Sequence, residues 1–207
     1  MKRGWVLGLL AAFGCTAGAS DDAPVSGDSA MVQATDTAAA PLAMPAIPVA
    51  TSGRLAIVIA TADEKYSVND AWDASGGRCE DSGLIQLIAR GSGVGVGIMI
   101  AVPDSGSENT YAVMEGDRGK PKPSTARVVV QIYGDDRAYV LRGVAGEIEM
   151  DSVRSSSSGH LTATLVERIF RDTVLVAGAF DSVPLPTLGA AECELLEEKP
   201  DDIVRRQ

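Results

Sequence analysis

The chain has 207 residues, 45% of them apolar and only 4% aromatic, with 28 acidic against 18 basic residues and a net charge of −10. That length allows one folded domain with a proper core. The charge repels phosphate backbones and anionic head groups, so nucleic acid is excluded as a partner and a basic membrane-binding face is not expected.

The N-terminus reads Met1-Lys2-Arg3-Gly4, then an apolar run from Trp5 to Gly14, then Cys15. The run is shorter than the ~20 residues needed to span a bilayer as a helix. A charged n-region before a short apolar h-region is the layout of a secretory signal peptide, here 1–14. Ala11-Ala12-Phe13-Gly14-Cys15 resembles the lipobox of bacterial lipoproteins. That resemblance implies diacylglyceryl transfer to Cys15, cleavage before it, and a mature protein anchored by lipid. Thr16 stands where Asp would signal inner-membrane retention in that family, which favours the outer membrane over the inner. The alternative is an ordinary signal peptide cut near Ala17 or Ala19, with Cys15 discarded.

Residues 15–52 are rich in Ala, Ser, Thr and Asp and contain Pro24, Pro41, Pro45 and Pro48. With almost no aromatics and no apolar period, they predict a disordered tether. The folded domain is expected over 53–198, and 199–207 as a polar disordered tail.

From Arg54 the apolar pattern has a period of two. The first expected strand, Leu55–Ala60, is apolar on both faces. Asn69, Asp70, Asp73 and Ser75 fall in an expected loop that runs on into Gly/Cys-rich sequence. Leu84–Ile88 and Val94–Val102 follow as strands, the second with Gly95, Gly97 and Ala101 on its other face. Pro103-Asp104-Ser105-Gly106 has turn chemistry. Tyr111–Glu115 is a short strand and 116–125 a loop. Val128–Tyr133 and Ala138–Val144 flank a tight connection at Gly134–Arg137. Ile148 and Met150 alternate with Glu147, Glu149 and Asp151, the mark of a half-solvated antiparallel strand. Arg154–Gly159 reads as a serine-rich turn, Leu161–Val166 and Thr173–Val183 as strands, and Leu188–Glu197 as either strand or helix.

About nine short strands predict an all-β domain, an antiparallel β-sandwich, with a calycin-like β-barrel as the alternative. The segment from Gly143 to Pro184 supports the same class. Its Gly146-Glu147-Ile148-Glu149-Met150, Ser/Gly turn, Thr/Leu strand and closing Gly178-Ala179-Phe180 resemble uncharacterised lipoprotein domains. That resemblance implies a β-sandwich of unknown function.

With Cys15 acylated, Cys79 and Cys193 remain as an even pair in an exported chain. A disulfide is then the default, with two free buried thiols as the alternative. Such a bond would tie the start of the domain to its end.

The chemical motifs are sparse. His160 is the only histidine. It lies beside Ser155–Ser158, but no nucleophile elbow accompanies it, and a solvated turn residue is the expected role. Candidate calcium ligands are Asp70 and Asp73 in one loop, Asp104 and Glu108 in another, and Asp135 with Asp136. None has the spacing of an EF-hand loop. Glu147, Glu149 and Asp151 are expected to form a solvent face rather than a glycosidase pair. Gly91–Gly97 has no Lys-Ser/Thr and no following helix, so it is not a phosphate loop. Trp72, seven residues before Cys79, is expected to be core or loop packing, with an exposed binding anchor as the alternative.

These readings point to a non-enzymatic envelope module. It would need no cofactor or metal, would meet the membrane through its N-terminal lipid, and could have a protein partner in the envelope. The alternatives are a carrier of a small apolar ligand inside a barrel and, more distantly, a hydrolase.

Overall fold

Alternating apolar residues set nine strands in the computed structural model, which describes residues 42–103, 109–116 and 120–198. They are β1 (Arg54–Ala60), β2 (Val68–Cys79), β3 (Leu84–Gly91), β4 (Val94–Ala101), β5 (Thr110–Val113), β6 (Thr125–Tyr133), β7 (Ala138–Val153), β8 (Ser156–Glu167) and β9 (Thr173–Pro184). A 3-10 turn, Glu64–Tyr66, and one helix, α1 (Ala190–Glu198), complete the described elements. The expected signal segment, Cys15, the tether up to Pro41, Asp104, Glu108 and the tail 199–207 lie outside the described residues. Residues 42–51 carry no regular secondary structure, and Leu42, Met44, Ile47 and Val49 are exposed.

The expected all-β class is present, with nine strands in one mixed sheet. The spatial order is β1-β2-β3-β4-β6-β5-β7-β8-β9. β9 then pairs back on β1 from Leu175↔Ala60 to Asp181↔Arg54, which closes the hydrogen bonding. Neighbours are antiparallel except β5 and β6, which run parallel at Ala112↔Thr125 and Val113↔Ala126. β6 also pairs directly with β7, so β5 is a short wedge between them. The body thus combines the filled core expected of a sandwich with hydrogen bonding that runs on through β1 and β9.

The long strand β7 makes the wedge possible. It pairs with β6 through Ala138–Arg142 and with β5 through Glu147–Glu149. Between them the register against β8 shifts at Gly143/Ala145, and the strand bends as bulged strands do. Gly146 takes φ 127° there, and a Cβ on it would lie 2.1 Å from the Thr162 carbonyl oxygen. Only glycine fits that crossing.

One face of every strand fills the interior. Leu55, Leu87, Ile98, Leu141, Ile148 and Leu161 are all 0–1% exposed. A ligand-sized void would leave its lining accessible to water, so these values describe a filled core. A second, smaller cluster lies on the outside. There Leu196, Leu188 and Cys193 pack against Cys79, Leu84, Met99 and Ala101. The helix α1 therefore covers the outer faces of β3 and β4, which explains why those strands are apolar on both sides. Its first turn is capped by the Glu192 carboxylate, which accepts from the Gly189 N–H at 2.9 Å. Cys79 and Cys193 are disulfide-bonded, with Cα atoms 5.8 Å apart, so the expected pair is formed.

Two expectations are corrected and one open reading is resolved. Asn69–Ser75 is strand, not loop, because Val68 and Trp72 give β2 its buried face. Ser156–His160 is also strand, because β8 pairs with β7 and β9 along its whole length and leaves only 154–155 as the turn. Leu188–Glu197, left open between strand and helix, supplies α1 from Ala190.

Candidate functional site

The sheet register sorts the connections into two ends. One end carries the β1–β2 connection and the β3–β4, β6–β7 and β8–β9 turns. The opposite end carries the approach to β1 at Ser52 and the β2–β3 and β7–β8 turns.

Among the described residues the expected site residues do not converge. Asp73 is fully exposed and lies 3.7 Å from the Arg54 guanidinium. Asp70 Oδ1 accepts from the N–H of the next residue, Ala71. Asp136 is 3.8 Å from Arg137. Among the described residues no group of three or more His, Cys, Asp or Glu could hold a metal ion. Trp72 is 8% exposed and packs in the interior, whereas Cys79 belongs to the outer cluster. The tryptophan and the disulfide thus lie on opposite faces of the sheet; the expected core packing of Trp72 is present, and its burial does not fit an exposed anchor. A Cβ on Gly91 would fall 1.8 Å from Trp72 Nε1, so this glycine gives the indole its space.

His160 is not the solvated turn residue expected. It sits on β8 opposite Glu149 of β7, with Nε2 3.2 Å from Oε2. This is a half-exposed cross-strand pair. The nearby serines are engaged elsewhere. Ser158 Oγ donates to Asp181 Oδ1 at 3.0 Å and accepts from the Ser182 N–H at 2.9 Å. Ser157 is buried, and its hydroxyl meets Met150 Sδ at 3.8 Å.

The end that carries the β8–β9 turn gathers more chemistry. Tyr66 is fully buried, and its hydroxyl donates to Asp172 Oδ2 at 2.8 Å. Lys65 Nζ lies 2.6 Å from Asp63 Oδ2 and 3.1 Å from Asp172 Oδ2. Its ammonium also stands 4.6 Å over the Tyr66 ring. Tyr66 meets Tyr139 edge to face at 5.4 Å. Arg137 lies over Tyr139 at 5.2 Å and over Phe170 at 4.9 Å. The bonds to Asp63, then those to Asp172, hold Lys65 protonated well above its usual range. Burial, and then the Asp172 carboxylate, push the Tyr66 phenol up to about 12. These contacts tie three turns together.

Glu167 organises the β8–β9 turn itself. It is 1% exposed, and its Oε2 accepts from the N–H groups of Ile169 and Phe170 at 2.6 and 2.5 Å. The turn then leaves Ile169 69% and Phe170 48% exposed. Arg168 and Arg171 flank them. A cavity of about 250 Å³ opens beside this turn, lined by Glu115, Arg142, Val144, Val166, Glu167, Arg168 and Arg171. Arg142 reaches it because β7 pairs Arg142 with Val166 of β8. Sequence reading missed this site. Its one local signal is the Arg-Ile-Phe-Arg run between two strands, and Arg142 joins only through pairing.

The chain matches no family model, no curated protein and no solved structure.

Proposed function

We propose that the chain is a non-enzymatic binding module of the bacterial envelope, held there by lipid on Cys15. The carrying observation is the β8–β9 turn. A buried carboxylate shapes it, and it presents Ile169 and Phe170 to solvent between two arginines. Exposed apolar side chains on a fixed turn are a common form of binding anchor. The turn also lies at the end opposite Ser52, where the chain enters β1, so a tethered domain would offer it away from its attachment. The filled interior supports a surface role over the carriage of an apolar ligand inside a barrel.

The test is photo-cross-linking in intact envelopes. A photoreactive side chain at Ile169 should give a discrete adduct, and one at Glu80, in the turn at the opposite end, should not. Equal labelling from both positions would sink the assignment. Anchoring is checked separately by mass spectrometry of the mature N-terminus. An acylated Cys15 is expected; a first residue beyond Cys15 would remove the lipid.

A hydrolase reading has one contact in its favour, the approach of His160 to Glu149. It lacks a serine on the histidine, since Ser158 bonds to Asp181 instead.

A further inference from the structure

We propose that the cavity beside the β8–β9 turn is an oxyanion site that takes a single tetrahedral group, phosphate or sulfate, carried on a ligand that extends into solvent. This rests on the binding-module reading and names what its site holds.

Charge is the first observation. The chain as a whole is strongly acidic, yet three arginines line this one cavity against two glutamates. One of those glutamates is already committed. Glu167 is buried, and its Oε2 accepts from two backbone N–H groups of the turn. Glu115 is exposed. Three arginines thus gather at one place in a protein otherwise rich in carboxylates.

Pairing is the second. Among the described residues the side chains of Arg168 and Arg171 make no hydrogen bond or ion pair, while Arg142 is held by contacts of its own. The chain as a whole is rich in carboxylates, so two guanidiniums left without one beside a third are a poor arrangement for stability alone. An incoming anion would relieve it.

Preorganisation is the third. Arg171 adopts φ 64°, a left-handed conformation that costs a non-glycine residue about 1–2 kcal/mol. Its N–H donates to the Glu167 carbonyl at 3.1 Å, and Glu167 N–H donates to Asp172 O at 2.8 Å. The backbone that aims Arg171 is thus fixed before any ligand arrives. A glycine would take this conformation without strain, but it would bring no guanidinium.

Chemistry and size choose the ligand class. Guanidinium forks match the paired oxygens of phosphate and sulfate, and the forks of Arg168 and Arg171 suit one such group. A cavity of about 250 Å³ is smaller than the ~300–1,000 Å³ that encloses a drug-sized ligand. It fits one anionic group. Val144 and Val166 supply the apolar part of its wall.

The experiment titrates the full-length chain with inorganic phosphate and, separately, with glycerophosphoglycerol, the deacylated head group of an anionic phospholipid, by heteronuclear NMR. Acetate at matched ionic strength is the control. Expected is saturable phosphate binding, with shifts centred on Arg168 and Arg171. R168Q/R171Q should weaken it at least about tenfold, while R78Q, at the opposite end, leaves it unchanged. Arg168→Glu, which leaves the Arg171 backbone alone, should also abolish it and guards against misfolding of the double variant. Tighter binding of the diester points to a lipid head group as the source; tighter binding of phosphate points to a free or monoester phosphate. No saturation by either below about 10 mM, or equal affinity in R168E, overturns the site. If the Ile169 adduct survives that result, only the oxyanion assignment falls; if the adduct is absent too, the binding-module reading falls with it.

Discussion

Tyr66 and Asp172 lie 106 residues apart, and the buried phenol of one donates to the carboxylate of the other at 2.8 Å. The bond joins the β1–β2 connection to the β8–β9 turn. The Tyr66 hydroxyl, and then Lys65, hold the Asp172 carboxyl below its usual range. The folded state therefore binds that proton less tightly than the unfolded chain does. Its stabilising effect is present above the unfolded carboxylate value and is lost as pH falls through the lower folded value. D172N should flatten the acid limb of the stability curve, as read by urea unfolding from pH 2 to 6.

Burial of the Tyr66 phenol, and then the same bond, predict an alkaline limb of opposite cause. The Tyr66 phenol is raised from 10.0 to about 12, so the folded state holds its proton more tightly than the unfolded chain. That stabilisation is full below pH 10 and disappears as pH rises through about 12. Y66F removes the titrating group and should flatten this limb, at a cost near ~1 kcal/mol at neutral pH. An unchanged alkaline midpoint in Y66F would assign the limb to another group.

Gly91 and Trp72 predict a packing defect. In G91A the new methyl would overlap the indole, whose Cβ-to-Nε1 separation would be 1.8 Å. The bulky ring must shift, and overpacking of this kind costs about 1–3 kcal/mol. Denaturant midpoint and a red shift of tryptophan emission report it together. Wild-type emission in G91A would mean that the indole has room to spare.

Glu167 is the hinge of the turn chemistry. E167A leaves two N–H groups without their acceptor and should cost about 1–3 kcal/mol. E167Q keeps one carbonyl acceptor and should cost less. Amide exchange at Ile169 and Phe170 should accelerate in E167A before global unfolding. Unchanged protection there would show that the turn is held by its backbone bonds alone.

The disulfide fixes α1 rather than the nine-stranded body. In the chain-entropy model a closed loop of ~100 residues is worth about 4.7 kcal/mol, and measured losses run about 2–5 kcal/mol. C79S/C193S should lower stability within that range, while far-ultraviolet circular dichroism keeps its strand signature, because the inner core is a separate cluster from the patch beneath the helix. Early proteolysis near Leu195 and Leu196 would mark the freed helix. Collapse of the strand signal would show that the inner core depends on the bond.

Period-two alternation at Leu55–Ile59, Val94–Ile100, Val128–Ile132 and Leu161–Leu165 dictated the all-β class, because side chains on successive residues point to opposite faces. Cysteine parity in a chain with an export-like N-terminus pointed to Cys79 and Cys193. Those are local or countable properties, and they need no partner strand to be read. Tertiary structure decided the rest. Only pairing could turn the polar stretch from Asn69 to Ser75 into strand, because its buried face is set by neighbours in β1 and β3. Closure through β1 and β9, and the wedge of β5, depend on register between segments distant in sequence. The arginine cavity is of the same kind. Arg142 reads as an outward strand residue and Arg168 and Arg171 as turn residues until β7 lies against β8 and Glu167 folds the turn over its own carboxylate.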